Sequence, residues 1–269
     1  MMFKLAAVIC GAAMGVAFAL NAALAADPAA APTQVTPPVQ VASIPKVDPH
    51  ADKILGETCQ LLGSADAFSF HAELLFDQVL PSAVKVQYAG EVDFALQRPD
   101  ELAIDYHSDL GGKQLWYQND TLTIFDQSHR MYASLTVPDS IDAMLEKVAE
   151  MHNLTLPLSN LAYSDPCLRL RKQIIFGGYI GVNDVNGIEC DHLAFSSSKI
   201  DLQLWLDRSK KRVPRKIVIN YRTEPGSPEY IAVLSDWKFP KQIPDSRFSE
   251  QLPKDAKRIE FLKIKEPQP

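Results

Sequence analysis

Positive charge is in short supply in this chain. Its 27 Lys and Arg against 33 Asp and Glu leave a formal net charge of −6 over 269 residues. A surface short of cations excludes the phosphate neutralisation on which nucleic-acid binding depends, and it argues against electrostatic adhesion to anionic lipid. Long apolar runs are scarce too. Beyond the first 25 residues nothing approaches the ~20 apolar residues of a membrane-spanning helix, so the mature chain is not expected to be an integral membrane protein. No segment repeats with a fixed period. The signatures of catalysis are also missing. There is no Gly-x-Ser-x-Gly, no Cys-x-x-Cys and no His-x-x-x-His, and His50, His71, His107, His129, His152 and His192 are scattered singly. Neither a nucleophile elbow nor a closed zinc site is legible. The expectation is a protein without catalysis, metal or cofactor.

What is present begins with an export signal. Lys4 is the only charge before Asp27, an apolar stretch runs from Leu5 to Leu20, and Ala23-Leu24-Ala25 ends in the small-x-small pattern of a signal-peptidase site. Residues 1–25 therefore read as a cleaved signal peptide, cut between Ala25 and Ala26, and the mature chain is expected in the periplasm. Cleavage leaves 26 − 33 = −7 charges, because Lys4 is lost. Residues 26–50 are an Ala- and Pro-rich linker, with Pro28, Pro32, Pro37, Pro38, Pro45 and Pro49 breaking regular structure. Residues 51–265 read as one domain, expected to be a monomer.

Three cysteines survive cleavage: Cys59, Cys167 and Cys190. An oxidising compartment permits one disulfide and leaves one thiol over. Cys167 and Cys190 flank one hairpin and are the favoured pair, with Cys59 meeting Cys167 in space as the alternative.

The domain opens with a helix over Asp52–Leu62, its apolar face made by Ile54, Leu55, Cys59 and Leu62. From there the period is two. Phe68, Phe70, Ala72, Leu74 and Phe76 alternate with polar residues, as do Val84, Val86, Tyr88, Val92, Phe94 and Leu96, then Leu102, Ile104 and Tyr106. Such alternation marks antiparallel strands with one wet and one dry face. Three further strands lead to a helix over Asp139–His152, with Ile141, Met144, Leu145, Val148 and Met151 at helical spacing behind Pro138. A shorter helical piece is expected near Leu158–Tyr163. Five more strands follow, with Asn186-Gly187 as a turn. The fold class is mainly β (α+β): a strongly curved antiparallel sheet or half-barrel of roughly eleven strands, with helices over its concave side. The strands are read as sequential hairpins apart from the one helical excursion. A curved sheet with one apolar helix stripe over it makes a natural hydrophobic ligand site. Its expected lining is Phe94, Ile104, Ile141, Met144, Val148, Leu202 and Leu204.

Several segments carry a family likeness. These include Arg98-Pro99-Asp100-Glu101-Leu102, Pro138-Asp139-Ser140-Ile141-Asp142, Tyr179-Ile180-Gly181-Val182, Asp201-Leu202-Gln203-Leu204-Trp205-Leu206 and, most specific, Gly187-Ile188-Glu189-Cys190-Asp191-His192-Leu193-Ala194-Phe195. On these the chain, from about Asp52 to Lys263, resembles a family of predicted periplasmic proteins, domain of unknown function 2092. Its architecture is similar to that of the periplasmic lipoprotein carriers of the Lol system. The resemblance implies a lipoprotein-carrier-like half-barrel and names no catalytic residue. The expected partner is a lipid or lipoprotein, or alternatively an envelope protein docking at the basic tip Arg208, Lys210, Lys211 and Arg212.

Three other features carry less. Cys190 and His192 share a strand face but lack further metal ligands. Gly177-Gly178-Tyr179-Ile180-Gly181 lies within strand and reads as a bulge rather than a phosphate loop. Trp116, Trp205 and Trp237 all fall on strands, as core or as the floor of a pocket.

Overall fold

The computed structural model describes residues 46–152, 156 and 158–261, the side chains of 151 and 152 excepted. The expected signal peptide, with Ala25 and Ala26, and most of the linker lie outside the described residues.

Helix α1 (Pro49–Ser64) starts where its chemistry allows. The Asp48 carboxylate accepts the His50 N–H at 2.8 Å and Pro49 occupies the first turn. The helix is longer than expected at its start because Asp48-Pro49, counted above as linker, is its cap. It buries Ala51, Ile54, Leu55 and Leu62. Six strands follow: β1 (Ala67–Val79), β2 (Lys85–Gln97), β3 (Glu101–Ser108), β4 (Lys113–Gln118), β5 (Thr121–Asp126) and β6 (Met131–Thr136). After helix α2 (Ile141–His152), a single turn at Ser159–Leu161 and the short helix α3 (Leu168–Gln173), strands resume. They are β7 (Ile174–Val185), β8 (Ile188–Ser197), β9 (Asp201–Asp207), β10 (Pro214–Asn220) and β11 (Glu229–Lys238), and a two-residue β12 (Lys257–Arg258) ends the series.

All twelve strands form one open, curved sheet in the order β12-β6-β5-β4-β3-β2-β1-β11-β10-β9-β8-β7. The eleven expected strands are all present. Their connection is not one continuous meander, however. Two meanders, β1–β6 and β7–β11, are zipped together by antiparallel pairing of β1 with β11. The helical excursion therefore carries the chain from one edge of the sheet to the other. The sheet stays open, with β12 pairing in parallel on β6 and β7 at the far edge.

Strand alternation sorts the side chains as the period demanded. Phe68, Phe70, Ala72, Leu74, Val92, Phe94, Leu96, Leu102 and Ile104 join Ile54, Leu55, Ile141 and Met144 in one core on the helix-covered inner face. The outer face carries a second, smaller core. There Ile243 and Phe248, from the segment after β11, pack on Ala67, Ala95, Ala103, Trp116 and Phe125. At the β7 edge, the Gly177 N–H donates to the Lys46 carbonyl and its own carbonyl accepts from Asp48 N–H, at 2.9 and 2.8 Å. Gly177 is required there because a Cβ would lie 2.5 Å from the Phe195 ring. The glycine segment is a bulge, as expected, with its register shift between Tyr179 and Gly181.

The β5–β6 turn has an electrostatic consequence. Burial alone would raise the Asp126 carboxyl, but hydrogen bonds from Lys113 and the His129 backbone N–H outweigh it and hold the group at about 2. A folded pKa below the unfolded value means stabilisation that is complete above the unfolded value of 3.8 and lost as pH falls through about 2. Asp77 and Asp207 are lowered for similar reasons, their burial outweighed by hydrogen bonds from Lys85 and Arg215 and from backbone N–H groups. Urea midpoints should therefore decline from about pH 5 to about pH 2, and Asp126→Asn should make that decline shallower. An unchanged slope in the variant would show that Asp126 carries none of it.

Candidate functional site

The inner face is an apolar wall closed on one side by a cover knit from several elements. The Ile141 N–H at the start of α2 donates to the Pro99 carbonyl in the β2–β3 turn at 3.0 Å. Arg98, in that turn, donates to the carbonyls of Leu62 at the end of α1 and of Tyr163. The Asp142 carboxylate accepts from the Ser164 N–H at 3.0 Å. A disulfide joins Cys59 of α1 to Cys167, just before α3, with Cα atoms 5.9 Å apart.

That bond corrects the expected Cys167–Cys190 pair. Cys167 does not flank the β7–β8 hairpin. It precedes a helix that the sequence reading did not foresee, and α3 sets it beneath α1. Cys190 is buried and free on β8. Burial, with the Asp207 carboxylate adding to it, pushes its thiol up to about 11, so it is an inert thiol rather than a nucleophile.

The seven residues expected to line a ligand space do come together. Phe94, Ile104, Ile141, Met144, Val148, Leu202 and Leu204 all belong to the inner core. They meet as packed neighbours, however. Met144 is 0% exposed and Phe94, Ile141 and Val148 are each 1% exposed, so no water-sized space opens at those four, whereas Leu202 and Leu204 each keep 8%. The apolar stripe of α2 fills the hollow that it covers.

The inner face does not end beneath α2. Toward the other end of the strands it continues as Phe76, Tyr88, Tyr106, Ile219 and Tyr230, all half-buried. Phe76 pairs across the sheet with Tyr88 on one side and Tyr230 on the other, and the Phe76 and Tyr88 rings lie 6.0 Å apart. Tyr106, Ile219 and Tyr230 pack against the main core. Tyr221 and Tyr106 both act electrostatically on Tyr230, whose phenol is pushed far up, chiefly by burial. The Tyr230 hydroxyl is buried, with no hydrogen-bond partner among the described residues. Strand periodicity placed Phe76, Tyr88 and Tyr106 on the dry face, yet nothing local singled them out. The available signal was the concentration of aromatics at one end of consecutive strands.

Other candidates are absorbed into the structure. The His192 ring lies between the side-chain amides of Asn183 and Gln203, at 2.9 and 3.0 Å, and stacks on Trp205 with centroids 4.0 Å apart. Among the described residues no three His, Cys, Asp or Glu side chains converge as a metal site would need. The basic tip is largely engaged. Arg208 and Arg212 both bind the buried Asp191, Arg212 also pairs with Glu57, and Lys211 lies over the Phe239 ring. Trp237 joins the inner aromatic stack at 4.5 Å from Phe70, whereas Trp116 lies under the segment after β11. The outer face holds two adjoining open grooves of about 500 and 390 Å³ that share Ser69, Ala95 and Arg247. Within them Asp93 pairs with His71, Asp105 with His107 and Gln114, and Arg247 donates to the Asp93 backbone carbonyl.

Comparison with known proteins gives one family and a set of folds. A family model described as predicted periplasmic protein (DUF2092) matches residues 51–262. Among solved structures, the lipoprotein LppX of Mycobacterium tuberculosis is 13% identical. The alignment covers 73% of this chain and 100% of that one, at a TM-score of 0.45. LprF of Mycobacterium bovis is also 13% identical, with 74% and 98% covered and a TM-score of 0.44. A LolA superfamily protein of Nitrosomonas europaea is 12% identical, with 74% and 97% covered and a TM-score of 0.36. No curated protein matches. No described helix is long and apolar enough to cross a membrane.

Proposed function

The chain belongs to the DUF2092 family of predicted periplasmic proteins, and from that premise we propose that it is a monomeric, non-catalytic periplasmic protein that binds a hydrophobic ligand on the inner face of its sheet. The observation that carries this is the half-buried aromatic end of that face. Phe76, Tyr88, Tyr106, Ile219 and Tyr230 continue the core's apolar wall but are only half-buried, whereas Phe94, Ile141 and Met144 are closed off. An acyl chain laid along them leaves water at a gain of about 0.8 kcal/mol per methylene. A longer chain then enters the space now filled by Ile141, Met144 and Val148 as α2 shifts outward. Met144 is suited to this, because an unbranched thioether repacks readily.

The test is a titration of the exported, mature protein with N-phenylnaphthylamine, which fluoresces on leaving water. Saturable binding is expected, with lipid found by mass spectrometry in the protein as purified. Tyr88→Arg and Ile219→Arg, which place charge on the wall, should each weaken probe binding roughly tenfold or more. If neither probe nor lipid binds, the full packing under α2 favours the other reading: an envelope interaction module whose apolar interior is only a core.

A further inference from the structure

Tyr230 is an oddity within an otherwise ordinary apolar wall. Buried polar groups in folded proteins nearly always have a partner, and one without calls for a reason. The Tyr230 hydroxyl has none among the described residues, although Phe would fill the same place without a group to satisfy. It does not stand alone, since Tyr106 and Tyr221 are near enough to act on it electrostatically. Burial is the chief cause raising all three phenols, so each keeps its proton and remains a donor. The formal charges acting on this group are acidic ones, Asp109 on Tyr106 and Glu224 on Tyr221. Both carboxylates raise the phenols they act on, so a free carboxylate or phosphate beside Tyr106 and Tyr221 would add like charge. An ammonium head brings no acceptor for a phenol proton. The chemistry that fits is a neutral carbonyl oxygen at the end of an apolar chain.

We propose that Tyr230 is the polar end of the ligand site and donates its hydroxyl proton in a hydrogen bond to the carbonyl oxygen of an uncharged acyl ester, whose chain lies along Phe76, Tyr88 and Ile219. This rests on the hydrophobic-ligand function above and specifies the ligand class.

The experiment is competition against N-phenylnaphthylamine on the full mature chain. The competitors are monoolein, the matching glyceryl oleyl ether, which lacks the carbonyl, and oleic acid. In the wild type, monoolein should compete roughly tenfold better than the ether, the preference expected of one well-placed hydrogen bond, and better than oleic acid. Tyr230→Phe should lose the ester-over-ether preference, read as the ratio of the two competitors on the same variant, whatever its affinity for the probe. Tyr230→Phe retaining the preference would overturn the assignment. So would a wild type that binds the probe yet treats ester and ether alike, or prefers the free acid, and this comparison needs no variant to fold. Each of these outcomes leaves the hydrophobic-ligand function standing. Failure of the probe to bind at all removes that function and the assignment together.

Discussion

Reducing the Cys59–Cys167 bond, or replacing both residues in Cys59→Ser/Cys167→Ser, is expected to lower the stability of the domain by about 4 to 5 kcal/mol. The magnitude follows from the loop it closes. The two cysteines are 108 residues apart, and the chain entropy that a crosslink removes from the unfolded state grows with loop length. That loop holds β1–β6 and α2, half of the sheet and the helix that covers it. The bond also ties α1 to the stretch just before α3. Its loss should loosen the cover more than the strands, so hydrogen exchange should rise first in α1 and α3 and last in β1 and β2. Equilibrium urea unfolding with and without reductant measures the effect. A change below about 1 kcal/mol would mean that the unfolded chain is already compact enough for the crosslink to constrain little.

The second large effect is expected at Asp191. This carboxylate is only 4% exposed. It accepts the Tyr179 hydroxyl at 3.1 Å and binds both Arg212 and Arg208. Arg212 in turn reaches Glu57 on α1, and its carbonyl accepts the Thr58 hydroxyl at 2.7 Å. Asp191 thus fastens the β9–β10 turn to the first helix. Asp191→Ala leaves a partly buried guanidinium without its main partner and should cost about 3 kcal/mol or more. The paired change Asp191→Ala/Arg212→Leu should recover most of that, because removing both charges removes the uncompensated one. Urea midpoints for the wild type, both single variants and the double close the cycle. A double variant no more stable than Asp191→Ala would show that the loss comes from packing around β8 rather than from a stranded charge.

The Asp191 centre also shows what sequence proximity leaves out at the basic tip. Four cations between Arg208 and Arg212 read, in sequence, as a solvated patch free to meet a partner. The carboxylates that Arg208 and Arg212 bind, Glu57 and Asp191, come from α1 and β8. The cysteines repeat the lesson. Cys167 and Cys190 were close along the chain, but α3 turned Cys167 toward a helix that begins the domain. The seven residues expected to line a ligand space all lie in the inner core. What could not be read was that Met144 and Ile141 would be fully buried themselves, while Tyr106, Ile219 and Tyr230 stay half-buried.

The sequence by itself determined whatever depends on neighbours a few residues away. Strand faces follow from a period of two, the α2 stripe from a period of 3.6, and the turn at Asn186-Gly187 from residues that accept positive φ. Tertiary structure decided what depends on partners far along the chain: the β1–β11 zip, the Cys59–Cys167 bond, the burial of Asp191, and the return of Ile243 and Phe248 onto the outer face. Periodicity states which face of a strand is apolar. How much of that face is covered is fixed only when distant segments compete to pack on it.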